Sequence, residues 1–306
     1  MAVALAVKDL HKRYRSRTAL NGLSFEIPDR SIAAFVGANG AGKSTTFALI
    51  GGYFKPNGGS IEICGKPLAE FKKSGGMLGI LPQDVLFYES RTVFRQLWLF
   101  AQLAGLSDAA SAYEVGRVLE LVQLSDRRNE LVSQLSHGMK VRLGVAQALV
   151  GNPPLILLDE PTSGLDPKML STLRSVILSL KGSTTIVISS HDLSELEQMC
   201  DHLCIIDQGR LIKQGPLSDL LAKSSKVSFG LTNETLELSE LQAAFPDFKC
   251  ERASKRVIQV QFDPAKIKVE EVNKQVLSWL ISKGAGILEV SSQRSLEEMF
   301  LEETSQ

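Results

Sequence analysis

The sequence predicts an α/β core, with a mixed sheet and a helical subdomain, followed by a small α+β domain. Three observations predict it. Residues 32–50 read as strand, glycine-rich loop and helix. Leu155–Leu158 and Thr185–Ser189 are continuous apolar or β-branched runs, as strands buried on both faces should be. Beyond residue 226, short alternating strands and amphipathic helices take over. A chain of 306 residues is long for one domain. The boundary is drawn between 1–221 and 222–306, with the helical subdomain at about 88–150.

Composition narrows the function classes. Hydrophobic content of 44% and charged content of 22% are ordinary for a globular protein. With 34 basic and 34 acidic side chains the net charge is zero, so no global field argues for nucleic acid. No apolar run approaches the roughly 18 residues of a membrane span. Residues 1–9 lack the pattern of a signal peptide, so no leader is expected. Cys64, Cys200, Cys204 and Cys250 form no CxxC pair and are read as buried reduced thiols.

Val3, Leu5 and Val7 alternate as a first strand. Lys12, Arg13, Arg15 and Arg17 form a basic cluster, read as a solvated turn. Tyr14, within it, either packs or offers its ring to a planar base. Leu23–Ile27 alternates as a second strand, and Pro28-Asp29-Arg30 turns into the run Ile32–Val36. Gly37-Ala38-Asn39-Gly40-Ala41-Gly42-Lys43-Ser44-Thr45 follows and matches GxxxxGK[ST]. Its glycines admit backbone angles that a side chain forbids, so successive N–H groups turn on one anion. The helix starting there adds unpaired N–H groups and a positive dipole end. Lys43 reaches the β- and γ-phosphates of a nucleoside triphosphate, and the Ser44 hydroxyl ligates Mg²⁺.

Gly51-Gly52 ends the loop helix, and Lys55–Gly59 is a turn cluster. Ser60–Cys64 and Met77–Leu81 read as strands, the second ending at Pro82-Gln83-Asp84. From Arg91 to about Val150 helical periodicity dominates. Phe94, Leu97, Trp98 and Ala101 share one face, and Val115, Val118, Leu119 and Val122 another. Leu135-Ser136-His137-Gly138-Met139 opens a helix to Val150, with Ser136 as N-cap. The run Leu155–Leu158 ends in Asp159-Glu160. Adjacent carboxylates at the carboxyl end of a buried parallel strand are costly unless they serve a cation or water. Open α/β sheets bind ligands at that edge. Ser163–Pro167 is a turn, and a helix runs from about Lys168 to Lys181. His191 follows the strand Thr185–Ser189 at the same edge. A helix, Leu193–Asp201, and a hairpin, Leu203–Ile212, complete the core.

Together these residues resemble the nucleotide-binding subunit of an ATP-binding cassette (ABC) transporter, over roughly residues 3–220. Gly37–Thr45 is similar to the Walker A loop, Gln83 to the Q-loop glutamine, and Leu135–Met139 to the signature usually written LSGGQ. Leu155–Asp159 resembles Walker B, with Glu160 in the place of the catalytic glutamate. Ser163–Asp166 is similar to the D-loop, His191 to the switch histidine, and Tyr14 to the aromatic that stacks on adenine. The departures are His137, where the family usually has Gly, and Met139, where it usually has Gln.

The resemblance implies ATP and Mg²⁺ as cofactors. It implies ATP contacts from Tyr14, Gly37, Asn39, Gly40, Ala41, Gly42, Lys43, Ser44 and Thr45. It implies Mg²⁺ ligation by Ser44 and Gln83, with Asp159 acting through water. Glu160, His191, Gln83 and Lys43 are the implied catalytic residues. Ser136 and Gly138 are implied to reach the γ-phosphate of a second subunit, either another copy of this chain or a related ATPase, and Asp166 to cross the interface.

Val227–Leu231, Lys249–Glu251, Val257–Phe262 and Gly286–Val290 read as strands. Helices fall at about Leu238–Ala244, over the face Val269, Val272, Val276, Trp279 and Leu280, and after Ser295 as cap. The order βαββαβ suggests a ferredoxin-like domain. Lys223-Ser224-Ser225 lies in a polar linker before it. Ser295–Leu301 resembles the tail of cassette subunits serving ABC-2-type exporters. The expectation is an ATPase on the cytoplasmic face of a membrane, powering an exporter through separate polytopic permeases docked near Gln83–Ala104. The alternative is a soluble cassette ATPase acting on nucleic acid or the ribosome. Such proteins usually carry a long coiled coil, a DNA-binding domain or a tandem second cassette. This sequence has one Walker A pattern, no heptad run and no basic excess.

Overall fold

A computed structural model describes residues 2–15, 17–73, 77–222, 226–232, 237–263, 266–291 and 296–304. The linker residues Lys223, Ser224 and Ser225 and the expected cap Ser295 lie outside the described residues. The chain divides into two compact units, Met1–Leu217 and Ser218–Gln306.

The first unit opens with two long paired strands, β1 (Val3–Tyr14) and β2 (Arg17–Pro28). β3 (Ile32–Val36) leads into α1 (Lys43–Ile50), followed by β4 (Gly58–Ile63), β5 (Lys66–Pro67), α2 (Leu68–Lys73) and β6 (Leu78–Leu81). Three helices come next: α3 (Val93–Leu103), α4 (Asp108–Leu121) and α5 (His137–Leu149). The remainder is β7 (Leu155–Asp159), α6 (Pro167–Ser179), β8 (Thr185–Ser189), α7 (Leu193–Met199), β9 (His202–Asp207) and β10 (Arg210–Pro216). α8 (Leu217–Ala222) crosses the division between the units.

Two sheets result. One is antiparallel, in the order β2-β1-β4-β5. The other is mixed, β10-β9-β3-β8-β7-β6, parallel except for its β10 edge. Every residue of β3, β7 and β8 is buried, which is why these strands read as unbroken apolar runs. Phe35 of β3 joins the layers. Its ring lies 5.1 Å from Phe25 of β2 and 5.7 Å from Phe47 of α1. Because β3, β7 and β8 run the same way, the segments after them leave the sheet at one edge.

α3, α4 and α5 form the helical part. Leu97, Ala101, Val115 and Val118 are fully buried there. Thr92 and Ser107 cap α3 and α4 through their hydroxyls. Glu114 of α4 accepts two bonds from Arg117, at 2.7 and 2.8 Å, and one from the Gly151 N–H at 2.7 Å. Arg117 also donates to the Leu149 carbonyl at 3.2 Å, so this pair pins α4 to the end of α5.

Several sequence expectations change. Lys12 and Arg13 lie within β1 rather than in a turn, because the β1–β2 hairpin extends to Tyr14 and Arg17. On the face expected for Phe94, Leu97, Trp98 and Ala101, only Leu97 and Ala101 are fully buried, and Phe94 and Trp98 are half-buried. They carry the guanidinium groups of Arg128 and Arg95 over their rings, and Val93 and Gln96 take the core positions instead. Cys64 is exposed, at a positive φ of 51° just past β4, whereas Cys200, Cys204 and Cys250 are buried free thiols. α2 has no counterpart in the expected elements.

The second unit holds β11 (Lys226–Leu231), α9 (Leu238–Ala244), β12 (Lys249–Ser254), β13 (Val257–Gln261), α10 (Val269–Ser282), β14 (Ile287–Ser291) and α11 (Leu296–Thr304). Its sheet is antiparallel throughout, in the order β12-β13-β11-β14. Val227, Phe229 and Leu231 of β11 meet Val272, Val276 and Leu280 of α10 in its core.

Candidate nucleotide site

The loop Gly37–Thr45 joins β3 to α1. A Cβ on Gly37 would lie 2.5 Å from the Ile206 carbonyl oxygen. At Gly42, φ is 113° and a Cβ would meet Leu20 at 2.7 Å and the Ala19 carbonyl at 2.9 Å. Both positions admit only glycine, because the loop backbone is pressed against the strands behind it. Gly42 is also the N-cap of α1 and brings no side-chain acceptor, so the first N–H groups of the helix are left for an external anion. Lys43 is 7% exposed, and its Nζ donates to the Gly37 carbonyl at 2.7 Å. Among the described residues no carboxylate pairs with it. A nearly buried ammonium held by one carbonyl calls for an anionic partner.

β7 and β8 place the acidic groups. Asp159 pairs in register with Ser189, whose hydroxyl donates to Asp159 Oδ1 at 2.5 Å. The Glu160 N–H points back to the Ser189 carbonyl at 3.1 Å and its hydroxyl at 3.0 Å. This holds Glu160 at φ 52°, a left-handed conformation that costs a β-carbon residue about 1–2 kcal/mol. Glu160 Oε2 then accepts from Nδ1 of His191 at 2.8 Å and from the His191 backbone N–H at 3.2 Å.

These pieces meet in one cleft of about 650 Å³. It is lined by Tyr14, Asn39, Gly40, Gly42, Lys43, Ser44, Thr45, Gln83, Glu160 and His191. Gly37 and Ala41 shape the loop behind it. Asp159 lines an adjoining hollow of about 260 Å³, which it shares with Gln83 and Glu160. Tyr14 is 39% exposed; its ring stands edge-on to Phe54 at 6.1 Å, with Lys12 Nζ 5.1 Å from its centre. Ser136 and Gly138 do not line the cleft. Ser136 caps α5, accepting from the Met139 N–H at 3.4 Å.

Two residues escaped the sequence reading. Arg17 lines the cleft and is the cross-strand partner of Tyr14, so both side chains share one face of the hairpin. Pairing in β1–β2, which the sequence cluster obscured, was the available signal. Ser189 anchors both Asp159 and Glu160, and only the strand register reveals it.

The chain is 33% identical over 306 residues to "Bacitracin transport ATP-binding protein BcrA" of Bacillus licheniformis, covering 98% of this chain and 97% of that one. It belongs to the ABC transporter ATP-binding proteins. The family profile described as "ABC transporter" matches residues 20–163. A "Nod factor export ATP-binding protein I" of Cupriavidus pinatubonensis (strain JMP 134 / LMG 1197) is 36% identical over 223 residues, covering 72% of this chain and 69% of that one. Among solved structures, cbiO1 from Clostridium perfringens, part of the ABC transporter complex cbiONQ, superposes with a TM-score of 0.65. It is 29% identical and covers 73% of this chain and 92% of that one. As an ABC transporter ATP-binding protein the chain is an ATPase subunit that binds and hydrolyses ATP. The glycine cradle, the buried Lys43 and the carboxylates at the sheet edge fit a nucleoside triphosphate.

Proposed function

We propose that this subunit clamps ATP and Mg²⁺ between two copies of itself, or itself and a related ATPase, and powers an exporter through separate membrane subunits. The observation that carries the two-copy reading is the division within one chain. Lys43, Gln83, Glu160 and His191 share a cleft, whereas Ser136 and Gly138 sit at a helix N-terminus outside it. A helix N-terminus suits an anion, and the anion it suits here is the γ-phosphate held by the partner subunit.

In this reading Tyr14 stacks on adenine, and Gly37 and Asn39–Thr45 cradle the phosphates. Arg17 adds a cation on the side of Tyr14. Lys43 offsets charge on the β- and γ-phosphates. Ser44 and Gln83 would hold Mg²⁺, with Asp159 acting through water, and the ion would supply neutralising charge to the phosphates. Glu160 orients the attacking water and takes its proton. Nδ1 of His191 carries the hydrogen donated to Glu160; the ring donates from Nε2 to a γ-phosphate oxygen only when both nitrogens carry hydrogens. Asp166 caps α6 through the Met169 N–H at 2.9 Å and lies on the turn that would cross the interface.

Export is supported by the relatives, one named for Nod factor export and one for bacitracin transport. Docking of polytopic permeases near Gln83–Ala104 is supported by Leu86, Tyr88 and Leu103, which are 93%, 57% and 74% exposed. No helix among the described residues is long and apolar enough to cross a membrane. The subunit is therefore read as held at the cytoplasmic face by those permeases. Residues 222–306 are read as a ferredoxin-like accessory domain, supported by their βαββαβ order and antiparallel sheet.

Purifying the Glu160→Gln protein from membranes in ATP tests the transport reading. A polytopic partner should come with it. Recovery of ribosomes or DNA instead would replace transport with the nucleic-acid alternative.

A further inference from the structure

His137 stands where the family usually has glycine, in the first turn of α5. Its side chain is exposed, so no core requirement explains it. Its Nε2 lies 3.3 Å from the Ser163 carbonyl oxygen. A carbonyl only accepts, so Nε2 carries the hydrogen of this bond. The imidazole also covers Gly164, where φ is 71° and a Cβ would sit 3.4 Å from Nε2. The next residue along, Gly138, presses on α6: a Cβ there would meet Met169 Sδ at 2.3 Å. The start of α5 therefore rests on the Ser163–Met169 stretch through two neighbouring contacts, one polar and one apolar.

Both joined elements are ones the two-copy reading turns toward the partner subunit. Ser136 and Gly138 approach its γ-phosphate, and Asp166 of the Ser163–Asp166 turn crosses to it. We infer that His137 is a positioning residue, tying the α5 N-terminus to the Ser163–Asp166 turn so that both meet the partner subunit as one preset surface. This inference rests on the two-copy reading. Glycine at 137 supplies no such tie and loosens the helix start, so each dimerisation event would have to order the two elements separately. His137 lines the adjoining hollow and its partner Ser163 lines the cleft, so the nucleotide affinity of the monomer is the control that separates an effect on the closed pair from one on the cleft.

The test uses the full chain in the Glu160→Gln background. The ATP concentration giving half-maximal dimer is measured by light scattering for His137, His137→Ala, His137→Gly and His137→Gln. Nucleotide affinity is measured separately on dilute monomer. A lost hydrogen bond of ordinary strength should raise the half-maximal ATP concentration about three- to tenfold in the Ala and Gly variants, with monomer affinity unchanged. The Gln variant, whose Nε2 can donate from nearly the same place, should restore most of it. Ala and Gly variants that dimerise at the parent's ATP concentration would overturn the inference, and so would a Gln variant that behaves like Ala. Failure of Glu160→Gln alone to dimerise would instead remove the two-copy reading, and this inference with it.

Discussion

Glu160 Oε2 accepts two hydrogen bonds from His191, from Nδ1 at 2.8 Å and from the backbone N–H at 3.2 Å. With the Glu160 N–H fixed on Ser189, the carboxylate is held at both ends, by the strand behind it and the histidine beside it. Its side chain is only 11% exposed, whereas that of His191 is 68% exposed. In the proposed role of general base, a carboxylate so restrained would need little reorganisation when water arrives. Glu160→Gln should keep the shape and ATP affinity while lowering hydrolysis about 10²- to 10⁴-fold, the usual worth of a general base. Single-turnover hydrolysis within tenfold of the parent would remove Glu160 from that role.

Lys43→Ala removes a nearly buried ammonium from the phosphate loop. ATP affinity should fall about 10- to 100-fold, the range for charge-assisted hydrogen bonds. Arg17→Ala should weaken ATP by a smaller factor, because Arg17 is exposed to solvent whereas Lys43 is nearly buried. Titration calorimetry with ATP ranks the two. An Arg17 loss exceeding the Lys43 loss would contradict the assigned order.

Gly37→Ala and Gly116→Ala should move stability in opposite directions. A Cβ on Gly37 meets backbone at 2.5 Å, which cannot yield cheaply, so a loss of about 1–3 kcal/mol is expected. Gly116 lies inside α4 with nothing within 4 Å of its Cβ, so alanine there should stabilise by about 0.5–1 kcal/mol. Urea unfolding of the two variants reads both signs.

The Glu114–Arg117 pair makes stability pH-dependent. The Arg117 hydrogen bonds hold the Glu114 carboxyl below its ordinary value of 4.5, against a smaller opposing effect of burial. The unfolded chain then binds the proton more readily. The contribution is present above pH 4.5 and is lost as the pH falls through the lowered folded value. Glu114→Gln should cost about 2 kcal/mol at pH 7, and less as the solution is acidified below 4.5. Melting curves at pH 7 and below 4.5 check this, and a gap that widens on acidification would contradict it.

The parts of the fold legible in the sequence are those where one physical signal acts alone. β3, β7 and β8 are buried on both faces, so their apolar or β-branched runs had one reading. The glycine loop was legible for the same reason, since its backbone demands exclude other residues at Gly37 and Gly42. Where signals compete, the sequence misled. Lys12 and Arg13 read as turn by charge, yet they continue β1 because cross-strand pairing with β2 outweighs composition. Phe94 and Trp98 share a face with Leu97 and Ala101 by periodicity, but periodicity does not show that each lies half-buried under an arginine while Leu97 and Ala101 are fully buried. Arg17 and Ser189 depend on strand register between distant segments, which no local pattern encodes. Ser136 and Gly138 were legible as a helix start, and the resemblance already implied that they serve a second subunit rather than this chain's own cleft.

In the two-copy reading, one chain holds half of each ATP site. The molar mass of Glu160→Gln in solution, measured with ATP and without nucleotide, tests it most directly. Twice the mass of one chain is expected in ATP, and the mass of a single chain without it. An unchanged mass in saturating ATP, with nucleotide demonstrably bound, would contradict it.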